Sequence, residues 1–132
     1  MNGGTGGHAK GDLFGRLRPA DTAINDIFNA VNLQTEITLI LAPVIPSESG
    51  TVNLHIYHDR SGGVSGVYTD SNIIFSTQLT RYGASDVIFQ AQHPGSGIMM
   101  RPGDFLGVST SIANSCNISL YGITETLAER VR

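Results

Sequence analysis

This chain has no tryptophan, one cysteine, one lysine and few charges of either sign. Each shortage excludes something. A single thiol, Cys116, closes no internal disulfide and supports no structural zinc site of the usual kind. It sits in a strand-like run, where a small buried apolar residue is expected. Lys10 is the sole lysine, the seven arginines are scattered, and the net charge is −3. No basic block tracks a nucleic-acid backbone, so no nucleic-acid partner is expected. No run approaches the roughly 20 apolar residues of a membrane helix. No apolar stretch of the signal-peptide kind is seen near Met1. We therefore expect no membrane partner and assembly in a reducing cytoplasm. Charged residues make up 14% of the chain, against roughly 25% in ordinary domains. Low charge combined with many Ile and Val argues against disorder.

What the chain does have is glycine, serine, threonine and asparagine between short apolar runs. With 132 residues it is one domain long, enough to bury about two-thirds of its unfolded surface. The first fifteen residues hold Gly3, Gly4, Gly6, Gly7, Gly11 and Gly15 and almost no apolar mass. Such a segment gains too little from burial to offset its ordering entropy. We read 1–20 as a flexible, extended Gly-rich N-terminal arm, 21–125 as the folded domain and 126–132 as a short polar tail. Leu13, Phe14, Arg16, Leu17 and Arg18 are the arm residues expected to order on a partner. Arg16 and Arg18 alternate with Leu17, so an extended arm shows cations on one side and an apolar group on the other.

From Asp21 onward the hydrophobic period is two, the signature of half-buried strands. Strands are expected over Thr22–Phe28, Thr35–Val44, Thr51–His58, Ser71–Thr80, Asp86–Gln92, Ile98–Met100, Phe105–Ile112 and Asn117–Thr124. Gly-, Ser- and Pro-rich turns separate them, among them Asp59–Gly66, Tyr82–Ser85 and His93–Gly97. Strands at intervals of roughly 10–12 residues indicate an all-β antiparallel sandwich, jelly-roll-like. The expected core is Ile37, Leu39, Leu41, Val52, Leu54, Ile56, Val87, Phe89, Val108, Ile118 and Leu120. Asn53, His55 and Tyr57 should face outward and are the candidates for an oligomer interface.

Catalytic constellations are not found in the sequence. His55 and His58, three apart on a strand, point to opposite faces and do not easily clamp one metal ion. His58 is expected simply to close its strand. Ser61-Gly62-Gly63 lacks the Gly-Lys-Thr ending of a phosphate loop and has no helix behind it. Gly95-Ser96-Gly97 resembles part of a nucleophile elbow only in letters, since no helix follows. Asp59, Asp70 and Asp104 are dispersed, each where a turn favours Asp. Neither enzymatic activity, nor a metal, nor a cofactor is expected.

Two segments nevertheless stand out together. One is Gly15-Arg16-Leu17-Arg18-Pro19-Ala20-Asp21-Thr22. The other is Gly107-Val108-Ser109-Thr110-Ser111-Ile112-Ala113-Asn114, followed by Ser119-Leu120-Tyr121-Gly122. Between them His55-Ile56-Tyr57-His58-Asp59 fits a central strand running into an acidic, Gly-rich loop. This pattern, over Gly15 to Thr124, resembles a family of small proteins encoded in the structural modules of tailed bacteriophages. It is most similar to capsid decoration, or cement, proteins. The Gly-rich beginning is longer here, and the Arg130–Arg132 ending departs from the pattern. The resemblance implies a virion protein on the capsid surface, with the major capsid protein and further copies of itself, as a homotrimer, for partners. The alternative is a tail-associated fibre, baseplate or neck module, in contact with a host-surface glycan.

Overall fold

Alternating apolar residues make strands, and strands with one apolar face must stack that face on another. The computed structural model describes residues 12–31, 33–60, 68–81 and 86–125. Among them are β1 (Asp12–Leu17), β2 (Asn25–Asn29), β3 (Gln34–Leu41), β4 (Val52–Asp59), β5 (Ile73–Leu79), β6 (Val87–Gln90), β7 (Ile98–Met100), β8 (Phe105–Thr110) and β9 (Ile118–Glu125). A 3₁₀ turn, Asp70–Asn72, leads into β5. The fold is all-β: two antiparallel sheets packed as a sandwich. No helix among the described residues is long and apolar enough to cross a membrane.

One sheet has the order β1-β9-β3-β6, with β7 also paired to β3; the other has the order β2-β8-β4-β5. The pairings nest. β4 pairs β5, β3 pairs β6 and β7, β2 pairs β8, and β1 pairs β9. The chain is thus one long hairpin, rolled so that β9 also meets β3 and β8 also meets β4. The side of the sandwich carrying β1 and β2 is closed. Phe14 lies on Phe28 with ring centroids 5.4 Å apart, and a side chain at Gly15 would come within 2.5 Å of the Ile27 carbonyl oxygen. Only glycine allows that approach.

The core lies between the sheets. Ile37, Ile40, Val52, Leu54, Ile56, Met100, Leu106, Val108, Ile118 and Leu120 are completely buried. Four expected core residues are not. Leu39 and Leu41 are only half-buried, and Val87 is 41% exposed. Val87, opposite Leu41, follows a slip in β6 at Ile88. For Leu39 and Leu41 the cause is a bulge in β3: Ile37 faces Gly122, but Leu39 already faces Tyr121. One extra residue, Thr38, flips every later side chain to the other face. Ile40 and Ala42 therefore take the inward places. The displaced backbone is satisfied, because Ala91 N–H donates to the Thr38 carbonyl at 2.8 Å. Phe89, opposite Ile40, is part-buried against the core.

The arm also differs from expectation. Residues 12–17 form the edge strand β1, paired with β9, and Pro19 is buried. Apolar burial of Phe14 and Leu17 against the core anchors this stretch. The remainder of the arm, 1–11, the tail 126–132, and the loop segments 61–67 and 82–85 lie outside the described residues.

Leu54 and Leu39 test the two faces of the sandwich. Leu54→Ala should destabilise the fold by about 2–5 kcal/mol. Leu39→Ala should cost less than about 1.5 kcal/mol, because the side chain never leaves water completely. Denaturant unfolding of both variants checks the order; equal costs would contradict the bulge.

Candidate docking surface

Parts of the two segments singled out in the sequence become neighbours, while Gly107–Thr110 lies in the other sheet, between β2 and β4. β1 runs beside β9 with Gly15 opposite Leu120 and Leu17 opposite Ile118. Past the end of the strand, Arg18 Nε donates to Asn117 Oδ1 at 2.8 Å. Asn114 takes a left-handed conformation, φ 54°, which Asn tolerates better than most residues. Its N–H donates to the Pro19 carbonyl at 2.8 Å. Of the five arm candidates, Leu13, Arg16 and Arg18 face solvent, while Phe14 and Leu17 turn inward and are half-buried. The alternation of Arg16, Leu17 and Arg18 thus operates across a sheet of the same chain.

Beyond this seam, the outer face of the five-stranded sheet is largely apolar. One rung runs Leu13, Tyr121, Leu39, Gln90; the next runs Arg16, Ser119, Leu41, Val87. Leu13 is 47% exposed, and Arg16 is the one charged residue in the two rungs, its Nε 3.4 Å from Ser119 Oγ. Leu39, Leu41 and Tyr121 were not expected here. For Leu39 and Leu41 the signal is ambiguous, since Leu39-Ile40-Leu41-Ala42 is an unbroken apolar run with no parity of its own. The outward place of Tyr121 follows from the alternation that sends Ile118 and Leu120 inward.

The outer face of the other sheet holds the expected interface residues, in unequal states. Asn53 is exposed and His55 half-buried, with His55 Nδ1 2.7 Å from Ser76 Oγ. Tyr57 is buried, contrary to expectation. Tyr68 lies over it, ring centroids 5.6 Å apart, and Tyr57 Oη is 3.1 Å from Ser109 Oγ. Gly107 makes the cover fit: a side chain there would come within 2.6 Å of the Tyr68 ring. Tyr68 is fastened by its hydroxyl, which donates to Asp26 Oδ1 at 2.6 Å. Burial first, then this bond and the nearby Asp26 and Asp59 charges, push the Tyr68 phenol far above the ordinary tyrosine range.

Other polar groups tie loops. His58 turns inward and is buried rather than merely closing its strand. Its Nε2 lies 3.0 Å from Asp104 Oδ2, which also accepts from Arg101 N–H at 2.9 Å. Glu36 accepts from the N–H groups of Gly95 and Gly97, at 2.9 and 2.7 Å. Ser96 bonds back to His93 in the same loop, its hydroxyl donating to the His93 carbonyl at 2.7 Å. Burial pushes the Cys116 thiol up, partly offset by Ser115, and a buried neutral thiol is a poor nucleophile. Among the described residues no three His, Cys, Asp or Glu side chains gather to hold a metal ion. Comparison with family models, with curated proteins and with solved structures finds no match.

The Tyr68 clamp gives a pH prediction. A phenol whose folded pKa is raised binds its proton more tightly in the folded state. Its contribution to stability is complete below the unfolded value, about 10, and is lost as pH rises above that value. Ultraviolet titration should show a tyrosine that ionises late, and Asp26→Asn should make it ionise earlier. A variant that titrates like wild type would refute the role given to Asp26.

Proposed function

We propose that this protein is a non-enzymatic virion component: a capsid decoration protein of a tailed bacteriophage that binds the assembled shell and stabilises it. One observation carries the reading. Two parts of the resemblance pattern that are distant in sequence, the Gly15–Arg18 stretch and Ser119–Gly122, lie side by side in one ladder, with Arg16 bonded to Ser119 across 103 positions. That seam borders a sheet face that presents Leu13, Leu39, Leu41 and Tyr121 with Arg16 as the one charge of its two rungs. The nested strand order supports a jelly roll, an architecture common in viral capsid domains.

The mechanism is mass action. A protein that binds the assembled shell and not its free subunits stabilises the shell by its binding free energy. Many copies, each spanning neighbouring subunits, add avidity. Leu13, Leu39, Leu41 and Tyr121 supply the apolar contact. Arg16 and Arg18 supply guanidinium groups that pair bidentately with carboxylates of the major capsid protein. Self-association of the module belongs to the same reading, since closed symmetric oligomers repeat the contact on a symmetric shell.

The test uses shells of the phage that encodes the protein. Wild-type protein should co-sediment with them and raise their melting temperature. Leu13→Asp combined with Arg16→Glu alters two outward side chains. It should leave the protein's own thermal transition nearly unchanged and weaken shell binding at least tenfold, about 1.4 kcal/mol. Failure of the wild type to bind would reject the decoration reading. Undiminished binding by the variant would reject this surface.

A further inference from the structure

A sandwich of this kind presents its edge strands to other chains, and edges must be covered, blunted or charged. On one side β1 and β2 close on each other through Phe14, Phe28 and Gly15. On the other side lies β5, which pairs only with β4 among the described residues. The ten residues Ser71 to Thr80 contain no charge, no proline and no glycine. Ile74 within them is 43% exposed. Where natural edges usually carry a lysine or a proline, this one carries neither.

We propose that β5 pairs with β5 of a second copy, antiparallel about a two-fold axis at Thr77, so that two four-stranded sheets become one. The β4–β5 register supports this choice of occupant and centre. It slips at Ile74, where β5 has one extra residue, and is regular over Phe75–Leu79. Thr77 is the midpoint of the regular stretch. Pairing about it sets Phe75 opposite Leu79 of the second copy in the inward row. Ser76 meets the second copy's Gln78 in the outward row, and Thr77 meets itself. Apolar meets apolar, hydroxyl meets amide, and no charge repels a copy.

The surface beside the edge continues the match. A shallow depression of about 380 Å³ is lined by Asn53, His55, Ser76, Thr77 and Gln78. All are uncharged hydrogen-bonding side chains when His55 is neutral, and Asn53 and His55 sit opposite Gln78 and Ser76 across the β4–β5 ladder. Across the axis the two depressions join into one polar floor. This contact is isologous and closes with two copies, whereas a ring of three requires two different patches. It replaces the trimer expected from the sequence with a dimer. It leaves the Leu13–Tyr121–Leu39 face open, so it stands independently of the shell-binding proposal.

Light scattering on the full chain at micromolar concentration should give a dimer. Ser76→Lys with Gln78→Lys should give a monomer that keeps its thermal transition, because both side chains are exposed. Ser76→Lys with Gln78→Glu should restore the dimer, since each new cation then faces a new carboxylate. Thr77→Cys should cross-link on mild oxidation, while Ser76→Cys, off the axis, should not. Cys116 is fully buried and stays out of the reaction. A wild-type monomer or trimer, a dimer that survives the lysine pair, or no cross-link at Thr77 would each overturn the proposal.

Discussion

The antiparallel ladder that holds β9 between β1 and β3 governs the rest of this molecule. It joins the last described strand to the first and to the third, so the five-stranded sheet forms only when distant parts of the chain meet. Ile118 and Leu120 go to zero exposure in that ladder, and their burial turns Ser119 and Tyr121 outward. It fixes which side chains remain for other molecules. Leu13 and Arg16 face out because Phe14 and Leu17 must face in. Non-local pairing of this kind closes long loops before contacts offset the entropy, and such topologies fold slowly.

The low charge of the chain is better understood from the structure. Several acidic groups serve as ties. Glu36 gathers the amides of the 93–97 loop, Asp104 joins His58 to the turn at Arg101, and Asp26 holds Tyr68. Glu36 and Asp104 are nearly removed from water, at 6% and 2% exposure. A buried carboxylate is tolerable when hydrogen bonds satisfy it. The outer sheet faces are left with few charges of their own.

The strand pattern was largely legible from Asp21 onward, because period two survives wherever a strand has one wet face. Val52, Leu54 and Ile56 read correctly for that reason. Legibility failed where a local device interrupts the period. The bulge at Thr38 sends Leu39 and Leu41 outward, and nothing in their identity announces it. Tyr57 reads as outward and is so, but Tyr68 covers it across a glycine three strands' worth of sequence away. β1 was hidden at the end of a glycine-rich stretch that reads as a mobile arm. Gly15 in fact marks close approach to β2, and Phe14 and Leu17 are anchors. The pairing of β1 with β9 left no local trace, apart from two motifs whose adjacency only the fold reveals.

Mass measurement of purified virions tests the functional account most directly. The proposed decoration role predicts that quantitative protein analysis of virions assembled with this chain finds it in numbers comparable to the capsomer junctions of the shell. A map of the particle should place the nine described strands on the outer surface, with the Leu13–Tyr121–Leu39 face against the major capsid protein. Absence from the particle, or a few copies confined to the tail, would contradict the account.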